Sequence, residues 1–165
     1  MSALTPEPVD DPAWLAAFIA EHWGAPGAVS RGVVWTGAEL KARRAMDGDR
    51  CVGVVSWSDA TPDWQIVTLD ALEARRGIGS CLLDAVIEAA RDQAARRLWL
   101  ITTNDNLDAL RFYQRRGFRI VAVHAGAIAA SRRIKPSIPE IGAYGIPIRD
   151  EIELEYPMSP TPVGR

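Results

Sequence analysis

Cysteine and histidine are scarce in this chain of 165 residues, which contains two of each. Cys51 lies in an apolar stretch and Cys81 in a segment with helical periodicity, so both are expected to be small apolar residues and not a disulfide pair. Because only His22 and His124 accompany them, without the spacing of metal ligands, the sequence predicts no metal site. The chain is long enough to bury a core without disulfides or metals.

An excess of positive charge is also missing. The 19 Lys and Arg residues are outnumbered by 21 Asp and Glu residues, which gives a net charge of −2. Because nucleic acids and anionic membranes require a basic face, neither is expected as a partner. No apolar run is long enough to span a bilayer, and the first residues lack the basic and apolar segments of a secretion signal. These features predict a cytoplasmic protein.

The length predicts a single domain, residues 1–157, followed by a mobile tail, residues 158–165. Residues 40–46 and 50–58 are joined by the Asp-Gly turn at 47–49, and together they predict a β-hairpin. Before this hairpin, a helix is expected to begin after one of two aspartates. Either Asp10 or Asp11 can cap that helix, with a proline in its first turn.

The densest pattern lies between residues 65 and 83. An apolar run rich in β-branched residues is followed by a charged turn, by Gly77 and Gly79, and by apolar residues at helical spacing. This order predicts a strand, a glycine turn and a helix. Since a helix N-terminus presents unpaired N–H groups and the positive end of the macrodipole, the glycines predict a phosphate site to which Arg75 and Arg76 add charge.

Two further strands and a helix are predicted beyond this point. Residues 98–102 indicate a short strand that is buried on both faces, as expected of a parallel strand after a right-handed crossover. A helix follows that is capped by Asn104 or Asn106 and closed by Gly117. Residues 118–124 then form the next strand. The chain therefore mixes antiparallel strands with one strand–helix–strand unit.

The glycine turn suits three kinds of nucleotide site, and the neighbouring residues distinguish them. A Walker loop ends in Gly-Lys-Ser/Thr, which Gly79-Ser80-Cys81 does not supply. A dinucleotide site needs a third small residue where Leu82 stands, although Asp105 lies at a suitable distance downstream to meet a ribose. The third alternative is a resemblance to a known family.

Residues 74–79 resemble motif A of the GNAT superfamily, the acetyl-CoA-dependent N-acetyltransferases, which reads Gln/Arg-x-x-Gly-x-Gly/Ala after a strand. Gly77 and Gly79 match its two small positions, whereas Ala74 stands where the motif has Gln or Arg. One side-chain contact to the pyrophosphate is therefore lost, and a neighbouring arginine, Arg75 or Arg76, is the expected replacement.

Residues 106–118 resemble motif B of the same superfamily, Asn-x-x-Ala-x-x-Phe/Leu-Tyr-x-x-x-Gly-Phe, at every fixed position. The matching residues are Asn106, Ala109, Phe112, Tyr113, Gly117 and Phe118. Because both motifs occur in the right order and spacing, the chain is identified as a GNAT member, and residues 134–155 are similar to an uncharacterised bacterial subgroup. The resemblance implies an α+β (α/β) GNAT fold with a mixed, largely antiparallel sheet, a splayed parallel pair and flanking helices.

The resemblance implies acetyl-CoA as the acyl donor, bound where two neighbouring strands splay apart. Backbone groups of Val67, Leu69 and Ala71 would pair with its pantetheine arm, and Asn106 would contact the arm from the other side. The backbone amides of six consecutive residues would hold its pyrophosphate: Arg76, Gly77, Ile78, Gly79, Ser80 and Cys81.

The resemblance also implies direct attack of an amine on the thioester. The N–H of Leu69 would stabilise the carbonyl oxygen, and Tyr113 would act as the general acid toward the leaving thiolate. Four residues are candidates for removing the proton of the amine: Asp70, Glu73, His124 and Glu151. Asp70 is preferred because it lies beside the expected strand break.

Residues 125–147 form a long insertion where GNAT proteins build part of the acceptor pocket. Four of its residues are candidates for contacting an acceptor: Arg132, Arg133, Lys135 and Tyr144. These are expected to form a solvated surface, with recognition of an acidic acceptor as the alternative. Three glutamates alternate along the last strand: Glu151, Glu153 and Glu155. They predict a strand with one wet face or, alternatively, an acidic wall that attracts a cationic amine.

The function expected from the resemblance is transfer of an acetyl group from acetyl-CoA to a primary amine, with a small molecule preferred as acceptor. Two alternatives stay open. One is a protein or peptide N-acetyltransferase, and the other is a non-catalytic module that binds CoA or a partner. The six tryptophans leave room for a homodimer in which some of them pack between subunits.

Overall fold

The computed structural model describes residues 4–74 and 77–158. Their helices are α1 Pro12–Trp23, α2 Ile78–Asp92, α3 Leu107–Arg115 and α4 Ile128–Ile134, with a 3-10 turn at Ala143–Gly145. Their strands are β1 Glu7–Pro8, β2 Ala28–Ser30, β3 Val33–Trp35, β4 Lys41–Asp47, β5 Arg50–Ser58, β6 Asp63–Ala71, β7 Arg97–Thr103, β8 Arg119–His124 and β9 Glu151–Tyr156. The predicted elements are all present within one or two residues of their expected ends.

Seven of these strands form one sheet in the order β1-β4-β5-β6-β7-β9-β8. Every neighbouring pair is antiparallel except β6 and β7, which are parallel. Strands β2 and β3 form a separate antiparallel pair. The mixed, largely antiparallel sheet with one parallel pair confirms the predicted fold class.

Helices cover both faces of this sheet. On one face, α1 packs Leu15, Phe18 and Ile19 against Ala42 and Val54, which forms the smaller core. On the other face, α2 packs against β4, β5 and β6 and α3 packs against β8, and both helices contribute to a larger core that contains the buried residues of α2. The start of α1 is set by its cap. Asp11, and not Asp10, accepts the N–H groups of Ala13 and Trp14 through Oδ1, at 3.0 and 3.3 Å.

Strands β7 and β9 are buried differently from the prediction. Leu98, Leu100 and Thr102 of β7 are buried, but the side chains that alternate with them are only half-buried, so the expectation of two buried faces is wrong. No helix of the described residues packs over this part of the second face, where Arg97 forms ion pairs with Glu153 and Glu155.

The glutamates of β9 are also less wet than predicted. Glu151 is only 2% exposed, and Glu153 accepts hydrogen bonds from Arg97 and pairs with His124. This face of β9 is therefore not fully solvated. Glu153 in its middle forms ion pairs, and Glu151 at one end is buried.

The structure also bears on the predictions for the tail, for the two cysteines and for membrane-spanning segments. Met158, at the start of the predicted tail, packs against the larger core, and the rest of that tail, residues 159–165, lies outside the described residues. Cys51 and Cys81 are both unbridged and half-buried. Among the helices of residues 4–74 and 77–158, none is long and apolar enough to cross a membrane.

Candidate active site

The parallel strands β6 and β7 separate halfway along their length. Their pairing runs from Asp63 opposite Arg97 to Ile66 opposite Leu100, and it stops there although both strands continue. At the same point the register of β6 against β5 shifts, which leaves Val67 as one extra residue in β6. Such a bulge bends the strand and disrupts its ladder. The result is a wedge-shaped cleft between the two strands.

The backbone of β6 presents hydrogen-bonding groups to this cleft. The N–H of Leu72 donates to the carbonyl of Val52 at 2.9 Å, which sets the phase of the β5–β6 ladder. Because antiparallel pairs alternate between bonded and non-bonded, the N–H groups of Leu69 and Ala71 then point away from β5 and toward the cleft. These residues, with Val67, are the ones predicted to pair with pantetheine.

The N-terminus of α2 opens at one end of the same cleft. Gly77 precedes the helix with φ +68°, and no side chain caps the helix there. The first helical bond runs from Cys81 N–H to the carbonyl of Gly77 at 3.0 Å, so the amides of Ile78, Gly79 and Ser80 have no partner within the helix. An anion fits this position because bare amides and the helix dipole both favour negative charge.

Two further observations bear on the glycine turn. A Cβ on Gly79 would lie 3.4 Å from Cζ of Phe112, so this position has room for alanine at most. The arginines Arg75 and Arg76, including the predicted amide contact of Arg76, lie outside the described residues. The cradle described here is therefore built from backbone groups that begin at Gly77.

Tyr113 of α3 is buried beside the cleft, with 9% of its surface exposed. Its ring makes edge contacts with Phe112 and Phe118, at centroid distances of 5.3 and 5.4 Å. Within the described residues its hydroxyl forms no hydrogen bond. Burial and the charge of Asp70 raise the pKa of the phenol, so it stays protonated at neutral pH and can donate a proton.

Asp70 of β6 is half-buried, and its charge acts on Tyr113. Its Oδ2 accepts the indole N–H of Trp23 at 3.0 Å. Burial raises the pKa of Asp70, while the Trp23 hydrogen bond and the nearby His22 oppose the increase. A carboxylate with a raised pKa is a better proton acceptor than an ordinary aspartate.

A cavity of about 210 Å³ lies where the two strands have separated. Its lining comes from the end of α1, from β2, β6, β7 and β9, and from the insertion that contains α4. The residues around it are Trp23, Ala28, Val29, Ser30, Val67, Ile101, Thr102, Thr103, Asn106, Ile128, Ser131, Lys135, Ile138, Ile148 and Glu151. The insertion between β8 and β9 thus supplies one wall.

The structure places the four candidate bases in different surroundings. Glu151 lines the cavity, and Asp70 contacts it through Trp23. Glu73 instead pairs with Arg50 at 2.5 Å, and His124 pairs with Glu153 at 3.0 Å on the edge strand β8. The structure brings two of the four carboxylate or imidazole groups to the cavity and leaves the other two elsewhere.

The polar residues of the insertion have structural contacts that the sequence did not indicate. Arg132 donates to the carbonyls of Ile138, Pro139 and Ile148, and Lys135 donates to those of Trp23 and Gly27. Of the four residues considered in this insertion, only Arg133 and Tyr144 are exposed. The expectation of a solvated surface is therefore wrong for Arg132 and Lys135, because backbone carbonyls of folded loops need donors.

Among the other cavity residues, Ser30 carries no local sequence signal, whereas Asn106 was predicted from motif B. Ser30 accepts the amide N–H of Gln65 at 2.8 Å and faces the cavity from β2, and Asn106 caps α3 through the N–H of Ala109 at 3.2 Å while also lining the cavity. Among the described residues, no group of three or more His, Cys, Asp or Glu side chains is placed to hold a metal ion. The chemistry of the site therefore comes from backbone amides, a phenol and carboxylates.

Comparisons with known proteins agree with this geometry. The model of the acetyltransferase (GNAT) family matches residues 17–118. The uncharacterised protein YdhI of Bacillus subtilis (strain 168) is 39% identical over 139 residues, which are 84% of this chain and 87% of that protein.

Solved structures share the fold. A Bacillus subtilis acetyltransferase in complex with CoA matches with a TM-score of 0.71 at 20% identity, covering 95% of this chain and 100% of that one. A GNAT family acetyltransferase from Elizabethkingia anophelis with acetyl-CoA bound matches with a TM-score of 0.69 at 21% identity, covering 96% and 100%. On its motifs, its splayed strands and these matches, this chain belongs to the GNAT family of acetyl-CoA-dependent acetyltransferases.

Proposed function

We propose that the enzyme acetylates the primary amine of a small molecule held in the cavity between β6 and β7. One observation carries the proposal. The cavity lies against the stretch of β6 where the strand pairing stops, so an acceptor inside it would face the backbone amides that point into the cleft. A small cavity that is lined from four strands and two helices suits a small molecule better than a protein terminus.

Backbone groups along the cleft are proposed to bind the acetyl donor. Val67, Leu69 and Ala71 are proposed to pair with the pantetheine arm of acetyl-CoA, which supplies the acetyl thioester. The amides of Arg76 to Cys81 are proposed to hold the pyrophosphate, and Asn106 to contact the arm from α3. Support comes from the inward phase of Leu69 and Ala71 and from the amides of Ile78, Gly79 and Ser80, which have no partner within α2.

Leu69, Tyr113 and Asp70 are proposed to carry the acetyl transfer. The N–H of Leu69 stabilises the negative charge that develops on the carbonyl oxygen. Asp70 accepts the first proton of the ammonium, directly or through water, and releases it to solvent. The nitrogen then forms the C–N bond and the C–S bond breaks. Tyr113 gives its proton to the leaving sulfur and is reprotonated by the second proton of the nitrogen, so one proton is released per turnover.

The proposal is tested by the release of free thiol from acetyl-CoA. The purified protein is incubated with acetyl-CoA and, in turn, small amines, free amino acids and peptides with free N-termini. We expect amine-dependent thiol release for small molecules and no increase with peptides. Turnover confined to peptides would identify a protein acetyltransferase, and silence with all three classes despite tight acetyl-CoA binding would contradict transfer to an amine.

A further inference from the structure

We propose that Glu151 binds the ammonium group of the acceptor, and that the acceptor is a small primary amine with an apolar body. This inference rests on the proposed function, because it specifies what occupies the same cavity. It assigns Glu151 to recognition of the acceptor, whereas Asp70 is assigned to proton removal. The two roles predict different kinetic effects.

The walls of the cavity are mostly apolar. The apolar lining residues are Trp23, Val67, Ile101, Ile128, Ile138 and Ile148, together with Ala28 and Val29 of β2. The volume of about 210 Å³ lies below the range of roughly 300–1,000 Å³ for pockets that hold drug-sized ligands. The cavity therefore suits a compact ligand whose carbon skeleton contacts aliphatic and aromatic side chains.

Glu151 is the acidic side chain that lines this cavity, and it is 2% exposed. Its Oε2 accepts the backbone N–H of Arg31 at 2.9 Å. Its Oε1 is 3.7 Å from Nη1 of Arg31, beyond hydrogen-bond distance, and accepts no hydrogen bond from the other described residues. Because an ionised carboxylate can accept about four hydrogen bonds, most of the capacity of this buried group is unused.

An ammonium group is the ligand that would use this capacity. Glu151 has an ion pair with Arg31 at 3.7 Å and one hydrogen bond, but a buried carboxylate oxygen that accepts no hydrogen bond is costly. Charge-assisted N–H bonds to such an oxygen are among the stronger hydrogen bonds in proteins. The hydroxyl of Ser131, which is 2% exposed and forms no hydrogen bond within the described residues, supplies a second polar contact on the α4 wall. The Glu151 contact to Arg31 also ties β9 to the β2–β3 turn.

The alternative ligand is an acid that binds Lys135, which also lines the cavity. Two carbonyl oxygens already accept hydrogen bonds from its ammonium group, those of Trp23 and Gly27, the latter at 2.9 Å. These bonds tie α4 to the segment between α1 and β2. Since the charge of Lys135 is directed at that segment, the carboxylate of Glu151 is the ionic group with more spare bonding capacity.

The experiment pairs each amine with the amino acid that has the same side chain: isoamylamine with leucine, and 2-phenylethylamine with phenylalanine. We expect the amines to have kcat/KM values at least tenfold higher. In Glu151→Gln, the KM of the amine should rise by about ten- to a hundred-fold, the range expected for a hydrogen bond to a charged group. The dissociation constant of acetyl-CoA should stay within twofold.

Glu155→Gln is the matched control, because Glu155 lies four residues further on the same strand and outside the cavity lining. It should leave both constants within twofold. Arg31→Gln removes the cation nearest Glu151 and should lower the KM of the amine. Thermal unfolding of all three variants identifies any that fails to fold, and Arg31→Gln keeps the test valid if Glu151→Gln does not fold.

Several outcomes would overturn the inference. These are a preference for the amino acids, an unchanged amine KM in folded Glu151→Gln, an unchanged or raised amine KM in Arg31→Gln, and no turnover of either amine while other small molecules are acetylated. In each case amine acetylation itself would survive. Only silence toward every acceptor class would remove the proposed function as well, which keeps the two failures distinct.

Discussion

The charge of Asp70 acts on Tyr113, and burial shifts the pKa values of both side chains in the direction that suits the proposed acid and base roles. The negative charge of Asp70 contributes to the raised pKa of the tyrosine, so the phenol keeps its proton. Burial raises the pKa of Asp70 as well, which moves the carboxyl closer to the pKa of a useful proton acceptor. Both shifts follow from desolvation, which the fold imposes on residues from β6 and α3.

Tyr113→Phe removes the hydroxyl and leaves the aromatic packing with Phe112 and Phe118 in place. We expect kcat to fall by about ten- to a thousand-fold, because the leaving sulfur loses its proton donor. Acetyl-CoA should still bind with an unchanged dissociation constant, as measured by calorimetry. Phe118→Leu, which alters the same aromatic cluster without removing a hydroxyl, serves as a packing control. An unchanged kcat in Tyr113→Phe would remove the tyrosine from the mechanism.

Asp70→Asn should make the protein less active and, at neutral pH, more stable. The carboxyl has a raised pKa in the folded protein, so the folded state binds its proton more tightly than the unfolded state does. Its contribution to stability is therefore lost as pH rises from the ordinary pKa of aspartate through the raised one. Asparagine does not titrate and can still accept the Trp23 N–H.

The measurement compares the free energy of unfolding of Asp70→Asn and the parent protein from acidic to neutral pH. The difference should grow in favour of the variant as pH rises, while kcat/KM falls by roughly 100- to 10,000-fold. Asp84→Asn, at an exposed position of α2, should change neither quantity. A stability difference that shrinks with rising pH would contradict the raised pKa, and full activity would exclude Asp70 as the proton acceptor.

The first turn of α2, which is proposed to hold the phosphates, packs close to the sheet at Gly53. A Cβ on Gly53 of β5 would lie 2.5 Å from Cγ2 of Ile78, 2.8 Å from the carbonyl oxygen of Asp70 and 2.9 Å from Cδ1 of Leu82. Gly53 thus permits the contact between β5 and the N-terminus of α2. The position of the cradle depends on this residue, which lies outside both motifs.

Gly53→Ala should therefore destabilise the fold and weaken acetyl-CoA binding together. Overpacking of this kind costs about 1–3 kcal/mol, and a displaced α2 misplaces the amides of the cradle. Urea unfolding and calorimetry with acetyl-CoA measure the two effects. Gly48→Ala, at a turn residue with φ +60° and open surroundings, should lower stability without changing acetyl-CoA affinity. Equal affinity in Gly53→Ala and the parent would show that the cradle does not depend on this contact.

At the scale of the whole molecule, ligand binding and folding are linked through the cleft. The two sides of the cleft belong to β6 and β7, which pair only at one end, while α1 and α2 cover opposite faces. A donor that pairs with the free edge of β6 would complete interactions that the protein alone leaves open. The homodimer that the tryptophans suggested stays a prediction, although Trp57 and Trp64 are stacked in the larger core and are not available for an interface.

Acetyl-CoA should stabilise the protein against heat. At a ligand concentration of 100 times the dissociation constant, binding to the folded state adds about 2.7 kcal/mol, which corresponds to a rise in Tm of about 5–10 °C for a chain of this size. Differential scanning calorimetry at several ligand concentrations measures the shift. Pantetheine, which lacks the pyrophosphate, should produce a smaller rise. No shift with acetyl-CoA would contradict binding at this cleft.

The local pattern of the sequence was sufficient to predict the helices and strands and to recognise the two motifs. Glycines at positions 77 and 79 after a strand, and the spacing from Asn106 to Phe118, identify the family because hydrophobic period and backbone requirements are local properties. The same properties placed Tyr113 on a helix that packs on the sheet. The strand, glycine turn and helix that carry the proposed backbone cradle were therefore predictable.

The acceptor cavity was decided only by tertiary structure. Trp23, Ser30, Lys135 and Glu151 come from four elements that are far apart in the chain, and each has an ordinary local context. The alternation along β9 predicted a wet glutamate face, whereas Glu151 is buried at the cavity wall and its carboxylate contacts Arg31 of the β2–β3 turn. Burial and ionic partners arise from contacts between distant segments, so no local pattern could determine which carboxylate faces the cavity.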